Sequence, residues 1–121
     1  MDYQSPSVMM ITIVTNKRLP PLGKLQGENI ILTELGQKVA EEIKRIPTYN
    51  GAESIEIYSY VIMPDHVHIL LHIHEHLPRH VGYYIRWFKK QCTYIGLALA
   101  VPSARNHVSL FAPQYHDRLL K

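Results

Sequence analysis

Histidines recur at alternating positions in one short stretch of the sequence. Met63 to His76 reads MPDHVHILLHIHEH and holds five of the chain's eight histidines. Side chains two residues apart on a β-strand point to the same face, so a strand here would place His66 and His68 side by side. Two neighbouring imidazoles can bind a divalent metal ion, although such a pair is also common as a solvent-facing or hydrogen-bonded feature of an ordinary strand. The pattern leaves both interpretations open.

The histidines that follow cannot all bind the same ion as the first two. Their spacing matches no closed zinc framework, which needs three or four tightly held ligands. These histidines approach a loop, where ordinary surface positions are the simpler interpretation. The alternative hypothesis is a metal-binding or metal-sensing protein in which His72, His74 and His76 bind Zn²⁺ or Cu²⁺ as much as the first two histidines do. The later histidines are His72, His74, His76 and His80.

A tyrosine near the end of the sequence offers a different chemistry. The segment FAPQYHDRLLK places Tyr115 directly before His116, Asp117 and Arg118. A phenol is a poor acid–base group near neutral pH because its pKa is about 10, but it can act as a covalent nucleophile. Attack on a phosphodiester also needs a cation that neutralises the phosphate oxygens, and a pair of imidazoles could hold one. In isolation, the same tyrosine fits an amphipathic residue at the start of a helix.

Hydrophobic periodicity predicts the elements that position these residues. Apolar, β-branched residues predict a buried strand over Ser7–Thr15, and alternation predicts two more over Ser54–Ile62 and His66–Ile73. Two stripes at helical spacing predict helices, one capped by Thr33 and one over Arg79–Ile95. Weaker signals predict a short hairpin around Gly27, a short strand over His107–Phe111 and a helix that begins after Pro113.

The predicted order of the main elements is strand, helix, strand, strand, helix, strand. This order is typical of a split βαβ arrangement, in which an antiparallel sheet carries its helices on one face. We therefore predict an α+β fold with a ferredoxin-like or RRM-like sheet. At 121 residues, the chain is expected to form one domain over residues 1–121.

The register of the predicted hairpin decides which side chains neighbour the histidines. A turn made of Met63–Asp65 would pair Ile62 with His66 and Glu56 with His72. Glu56 would then share the histidine face but lie too far along the strand to join the first two histidines. A turn two residues longer would bring this carboxylate diagonally opposite the second histidine of the motif, about 7–8 Å away.

Composition narrows the class of protein without identifying it. The formal net charge of +3 is compatible with a polyanionic partner, and the single cysteine, Cys92, excludes an internal disulfide and fits a reducing compartment. No apolar run approaches the roughly 20 residues of a membrane span, and the amino terminus lacks the basic start of a secretory signal. We therefore expect a cytoplasmic protein.

Four segments of the sequence form an ordered pattern. They are ITIVTNKRLPPLGKLQGENIILTELGQKVAEEIKRIP, YVIMPDHVHILL, IRWFKKQCTYIG and QYHDRLL. Together they resemble the HUH single-strand transposases, and in particular the REP-associated, IS200-like tyrosine transposases. Asp65 stands where the family's histidine motif usually has Asn. Leu119 stands where relatives often supply a third metal ligand, and the chain stops at Lys121, where relatives continue, so a carboxy-terminal truncation is expected.

The resemblance implies an enzyme that cleaves and rejoins single-stranded DNA through a 5′-phosphotyrosine. It implies Mg²⁺ or Mn²⁺ bound by His66 and His68, with Tyr115 as the nucleophile. The expected partner is DNA that forms a hairpin, and the expected enzyme is a monomer or a homodimer. The first alternative is a non-catalytic DNA-binding module on the same fold.

The resemblance also bears on the remaining ligand and on the DNA contacts. Candidates for the third metal ligand are Glu56, His116 and Asp117. Basic residues that could follow the phosphates are Arg86, Lys89, Lys90 and Arg118. Aromatic residues that could stack on bases are Tyr83, Tyr84 and Trp87, although at least one of them is expected to pack in the core. Tyr94 and the two neighbouring tyrosines compete with Tyr115 as nucleophile, but none of them precedes a His-Asp-Arg sequence.

Overall fold

The computed structural model describes residues 6–15, 21–98 and 111–119. Strands and helices follow one another in the order that the periodicity predicts, with one additional hairpin. The elements are β1 Ser7–Thr15, β2 Gly23–Gln26, β3 Asn29–Leu32, α1 Glu34–Arg45, a 3₁₀ turn Ile46–Thr48, β4 Ile55–Met63, β5 His66–Ile73, α2 Val81–Ala98 and β6 Phe111–Leu119.

The main sheet has four antiparallel strands in the order β4-β5-β1-β6. β5 follows β4 directly through a hairpin, whereas α1 lies between β1 and β4 in sequence and α2 lies between β5 and β6. This is the split βαβ arrangement, and it confirms the predicted α+β, ferredoxin-like fold. The weakly predicted hairpin is also present as β2 and β3, which turn at Gly27 with a φ of 65°.

Both helices pack on one face of this sheet. Along β5 the burial alternates strictly, with Val67, Ile69 and Leu71 fully buried and the residues between them only partly buried. The buried residues of β1, β4 and β5 form one cluster with the apolar stripes of α1 and α2. The other face carries Thr12, His66, His68, Leu70 and His72, and we call it the open face.

The start of α1 is fixed against the segment that precedes β2. Thr33 caps the helix as predicted: its Oγ1 accepts from the Gly36 N–H at 3.1 Å and donates to the carbonyls of Pro21 and Leu22. Gly36 is buried so closely against this segment that a Cβ built on it would lie 1.9 Å from the carbonyl oxygen of Leu22. Glycine is therefore required here by contact rather than by backbone conformation.

The register of the β4–β5 hairpin differs from the prediction at one end and agrees at the other. The turn is only Pro64-Asp65, so Met63, not Ile62, pairs with His66. A register shift between Ile57 and Ser59 then restores the predicted pairing of Glu56 with His72. The prediction was wrong near the turn because it counted Met63 as a turn residue, whereas a two-residue connection lets Met63 join the ladder.

The segment after Pro113 was predicted as a helix, and this prediction was wrong: it belongs to β6. Tyr115 pairs with Ile13, whereas Phe111 pairs with Thr15, so the longer stretch of β6 bulges around Pro113. Proline has no N–H to donate to a ladder, and an irregular position of a strand accommodates it. Pairing with β6 satisfies backbone groups of β1 that would otherwise form an open edge, which outweighs local helix propensity.

Two further expectations concern a short strand near the end of the chain and membrane spans. The predicted strand over His107–Phe111 lies outside them except for Phe111, which begins β6. Among the helices within the described ranges, none has an apolar stretch that could cross a membrane.

Because Gly36 contacts Leu22, replacing it with alanine should destabilise the protein, although alanine normally favours a helix. Alanine normally stabilises a helix by about 1 kcal/mol relative to glycine, but overpacking a closed site costs about 1–3 kcal/mol. We expect Gly36→Ala to lower the free energy of unfolding measured by urea denaturation. The exposed neighbour Gln37→Ala serves as the control and should change stability by less than about 0.5 kcal/mol. A Gly36→Ala protein as stable as the wild type would contradict this packing.

Candidate active site

His66 and His68 lie side by side at the start of β5, on the open face. We call these two residues the histidine pair. Their ring centroids are 4.7 Å apart and the rings meet edge to face. Both side chains are partly buried, with 28% of the His66 side chain exposed. The alternation inferred from the sequence is thus confirmed, and it presents two imidazoles to one small region of space.

A carboxylate orients the first ring of the pair. The Nδ1–H of His66 donates to Asp65 Oδ1 at 2.7 Å. This hydrogen bond lowers the pKa of the Asp65 carboxyl below its usual range, which favours the ionised carboxylate, a group that can only accept. With its proton on Nδ1, His66 keeps the lone pair of Nε2 for a ligand. A carboxylate behind an imidazole is a common arrangement around protein-bound metals.

A hydroxyl on the neighbouring strand orients the second ring. Thr12 is the register partner of His68, and its Oγ1 lies 2.9 Å from His68 Nδ1. In the tautomer that donates from Nδ1, the Nε2 of His68 also keeps its lone pair. Each ring of the pair therefore contacts a protein group through Nδ1, and neither Nε2 makes a hydrogen bond with another of the described residues.

Three hydrogen bonds to backbone carbonyls hold the turn that precedes the histidine pair. The carbonyl of Asp65 accepts from the N–H of Thr15 at 2.9 Å and from its hydroxyl at 3.0 Å. The carbonyl of Pro64 accepts from the N–H of Leu22 at 2.9 Å. The turn is thereby attached both to the end of β1 and to the segment that precedes β2. This attachment keeps Asp65 beside the ring it orients.

Strand β6 brings the backbone of Tyr115 to the level of the histidine pair. Tyr115 is opposite Ile13 on β1, and Ile13 is in turn opposite Val67, the residue between the two histidines. The backbones of Tyr115 and Val67 are therefore separated by two inter-strand spacings, which corresponds to about 10 Å. His116 is opposite Thr12, the residue that contacts His68. The register partners of Asp117 and Arg118 are Ile11 and Met10.

Glu56 does not join the histidine pair. It lies opposite His72, and its Oε1 accepts from the Nε2–H of His74 at 2.6 Å. Glu56, His72 and His74 offer potential ligand atoms that all lie within 4.8 Å of one another, and we call them the distal cluster. The predicted register already pairs Glu56 with His72, although Glu56 was expected as a ligand of the first two histidines. The pairing of Glu56 with His72, with His74 two residues further on, was the sequence feature that could have indicated a second cluster.

The basic residues of α2 are not all arranged as the sequence suggested. Arg86 and Lys90 are exposed, but Lys89 is only 8% exposed, and burial lowers the pKa of its ammonium group. Lys89 lies one turn from Ile85 and from Cys92, so it borders the apolar stripe rather than the solvent side. Because α2 packs on the sheet face opposite the open face, Arg86 and Lys90 do not flank the histidine pair.

The aromatic residues of α2 divide between core and surface. Tyr84 is 1% exposed and belongs to the core, as was expected of at least one aromatic residue here. Trp87 is 41% exposed, and the ammonium of Lys90 lies 5.2 Å from its ring centroid. Tyr83 and Tyr94, which competed for the role of nucleophile, also lie on this helix, across the sheet from the histidine pair.

Solved structures share this fold. A candidate transposase from Deinococcus radiodurans R1 superposes with a TM-score of 0.68 and 20% sequence identity, covering 100% of this chain and 84% of that one. The REP-associated tyrosine transposase bound to a REP hairpin superposes with a TM-score of 0.66 and 18% identity. Here the match covers all of this chain but only 60% of that one. At these identities the likeness concerns the fold.

The sequence itself carries the assignment to a family. No curated protein gave a significant match. In contrast, the family model described as "Transposase IS200 like" matches residues 28–116, a range that includes both the histidine pair and Tyr115. This range covers well over half of the chain and confirms the resemblance that the motifs suggested. The chain therefore belongs to the IS200-like transposase family.

Proposed function

We propose that the protein cleaves and rejoins single-stranded DNA, with Tyr115 as nucleophile and a divalent metal ion at the histidine pair. The observation that carries the proposal is the geometry of the pair: both rings use Nδ1 for protein contacts, and both Nε2 atoms remain for a ligand. Membership of the IS200-like transposase family supports the assignment to DNA strand transfer. The range matched by the family model includes Tyr115, which supports its role.

The chemistry is a transesterification that needs no nucleotide cofactor. The Tyr115 phenol oxygen attacks a backbone phosphorus, and the bond from phosphorus to the 3′-oxygen breaks. The phenol loses its proton, and the departing 3′-oxygen gains one to become a hydroxyl. A 5′-phosphotyrosine results. Attack of another 3′-hydroxyl on this linkage reverses the step, reforms a phosphodiester and releases the phenol. A bound divalent ion would supply neutralisation of charge on the phosphate oxygens.

The ligand set of the pair indicates which ions fit. Two imidazoles favour Mn²⁺ over Mg²⁺, because affinity for nitrogen ligands rises along the first transition row and Mg²⁺ prefers oxygen. Of the expected sources of a third ligand, His116 is proposed here, since β6 places its backbone opposite Thr12 on the open face, whereas Asp117 is opposite the buried Ile11. The location of Glu56 in the distal cluster removes it from this role.

The proposed substrate is single-stranded DNA that folds into a hairpin. The REP-associated tyrosine transposase of similar fold is bound to such a hairpin, which supports the same class of partner for this chain. Because β6 pairs with β1 of the same chain, one copy contains both the histidine pair and the Tyr115 segment.

Covalent capture tests the proposal directly. With a hairpin-bearing single-stranded oligonucleotide and Mn²⁺, the protein should form an adduct that survives denaturing electrophoresis. Tyr115→Phe removes the attacking oxygen and His68→Ala removes a metal ligand, so both should abolish the adduct. Tyr94→Phe, an exposed tyrosine on α2, is the matched control and should retain it. An adduct formed by Tyr115→Phe would refute the nucleophile, whereas a mobility shift without any adduct would indicate a DNA-binding module.

The contact of Asp65 with His66 predicts a graded effect on metal use. Loss of such an orienting partner typically costs about 10–100-fold in metal affinity. We expect Asp65→Ala to raise by about that factor the Mn²⁺ concentration for half-maximal adduct formation. Asp65→Asn keeps an accepting oxygen and should have a smaller effect. Glu41→Ala removes an exposed carboxylate of α1 and controls for net charge. Superimposable Mn²⁺ curves for Asp65→Ala and the wild type would contradict this role.

The basic side chains of α2 are proposed to contact DNA beyond the scissile phosphate, since they lie across the sheet from the histidine pair. Each phosphate contact on a single strand contributes about 0.7 to the slope of log affinity against log salt concentration. The double variant Arg86→Ala/Lys90→Ala should therefore lower that slope by about 1.4. Lys24→Ala/Lys38→Ala removes the same charge from exposed positions elsewhere. Equal losses in the two double variants would indicate a general charge effect rather than a contact.

A further inference from the structure

We propose that the distal cluster is a second metal site, one that binds a transition ion of the Zn²⁺ class and is separate from the histidine pair. It consists of Glu56 on β4, His72 on β5 and His74 just beyond the end of β5. The proposed DNA chemistry makes no use of these three residues. Their arrangement is built by the sheet rather than by flexible loops.

The sheet holds the three residues in place through a bulge and an extended ladder. Tyr58 is the extra residue in β4, and it restores the opposition of Glu56 and His72. Beyond β5, the N–H of His74 donates to the carbonyl of Ser54 at 2.8 Å, which continues the pairing by one more residue. The rings of His72 and His74 consequently approach to 3.9 Å between centroids.

The distances are close to those that a metal ion needs. The potential ligand atoms lie within 4.8 Å of one another, and His74 Nε2 and Glu56 Oε1 are already in contact at 2.6 Å. Bonds of about 2.0–2.2 Å in a tetrahedral zinc site separate ligand atoms by roughly 3.3–3.5 Å. Small side-chain rotations therefore suffice. For His74 Nε2 to bind the ion, the proton that it now donates to Glu56 would move to Nδ1 or be released to solvent.

Tyr58 supplies a partner that orients one of the ligands. Its hydroxyl lies 2.6 Å from His72 Nδ1. When Nδ1–H donates to this oxygen, the Nε2 of His72 keeps its lone pair for the metal. Outer partners of this kind fix the tautomer and direction of a ligating ring. The residue that forms the bulge thus also positions a ligand.

The donor set and the surroundings select the type of ion. Two imidazoles and one carboxylate suit Zn²⁺ or Cu²⁺, whereas Mg²⁺ and Ca²⁺ prefer oxygen ligands alone. The side chains of Glu56 and His74 are 53% and 47% exposed, so water can occupy a fourth position. His72 lies four residues along β5 from His68, a separation of about 13 Å, so one ion cannot bind at both places.

Zinc titration of untagged protein by calorimetry tests this site. The double variant His66→Ala/His68→Ala removes the histidine pair, and we expect it still to bind one equivalent of Zn²⁺. Adding His72→Ala or Glu56→Gln to that background should abolish this binding, and Tyr58→Phe should weaken it about 10–100-fold. His76→Ala is the matched control, because His76 is exposed and lies outside the distal cluster, and it should leave the affinity unchanged.

Spectroscopy and a separate activity readout complete the test. Co²⁺ in place of Zn²⁺ should give the intense visible absorption of a tetrahedral site, and this absorption should disappear with His72→Ala while circular dichroism shows an intact fold. His74→Ala should still form the covalent DNA adduct with Mn²⁺, so the two proposals can fail independently. Absence of zinc binding in His66→Ala/His68→Ala, or its persistence after His72→Ala, would overturn the second site and leave a surface hydrogen bond between Glu56 and His74.

Discussion

The antiparallel pairing of β1 with β5 is the constraint on which the rest of the structure depends. It places Thr12 beside His68, and it makes β1 the central strand to which β6 is added on the other side. Since α1 and α2 cover a single face, every second side chain of β5 lies on the open face, and these include the histidine pair and His72 of the distal cluster. Because successive side chains of a strand point to opposite faces, the register of the sheet determines which residues lie together on the open face.

The parts of the fold that could be predicted are those with strong local signals. The bounds of β1 and β5 agree with the prediction because their apolar residues recur without interruption. Thr33 was identified as a cap because its hydroxyl satisfies a free N–H at the start of a helix. The proximity of His66 and His68 also follows from sequence alone, since it needs only the assumption of a strand. Local periodicity thus predicts the elements and the histidine pair.

The errors concern features that depend on contacts distant in sequence. The turn contains two residues rather than three, and its carbonyls are bound by Thr15 and Leu22, neither of which is near it in the chain. The tail forms β6 because β1 offers an edge to pair with, which no local helix propensity reports. Lys89 is buried because of its position beside the stripe of α2. In each case the tertiary environment decides between alternatives that are locally equivalent.

The extra residue at Tyr58 sets the register of the far half of the β4–β5 hairpin independently of the half next to the turn. If Tyr58 joined the ladder opposite Leu71, Ile57 instead of Glu56 would lie opposite His72, yet the pairings of Val61 with His68 and of Met63 with His66 would stay as they are. Loss of the bulge at unchanged strand length would therefore move the carboxylate of one site without disturbing the imidazoles of the other. Homologues with a regular β4 of the same length should accordingly differ in the far half of the hairpin alone.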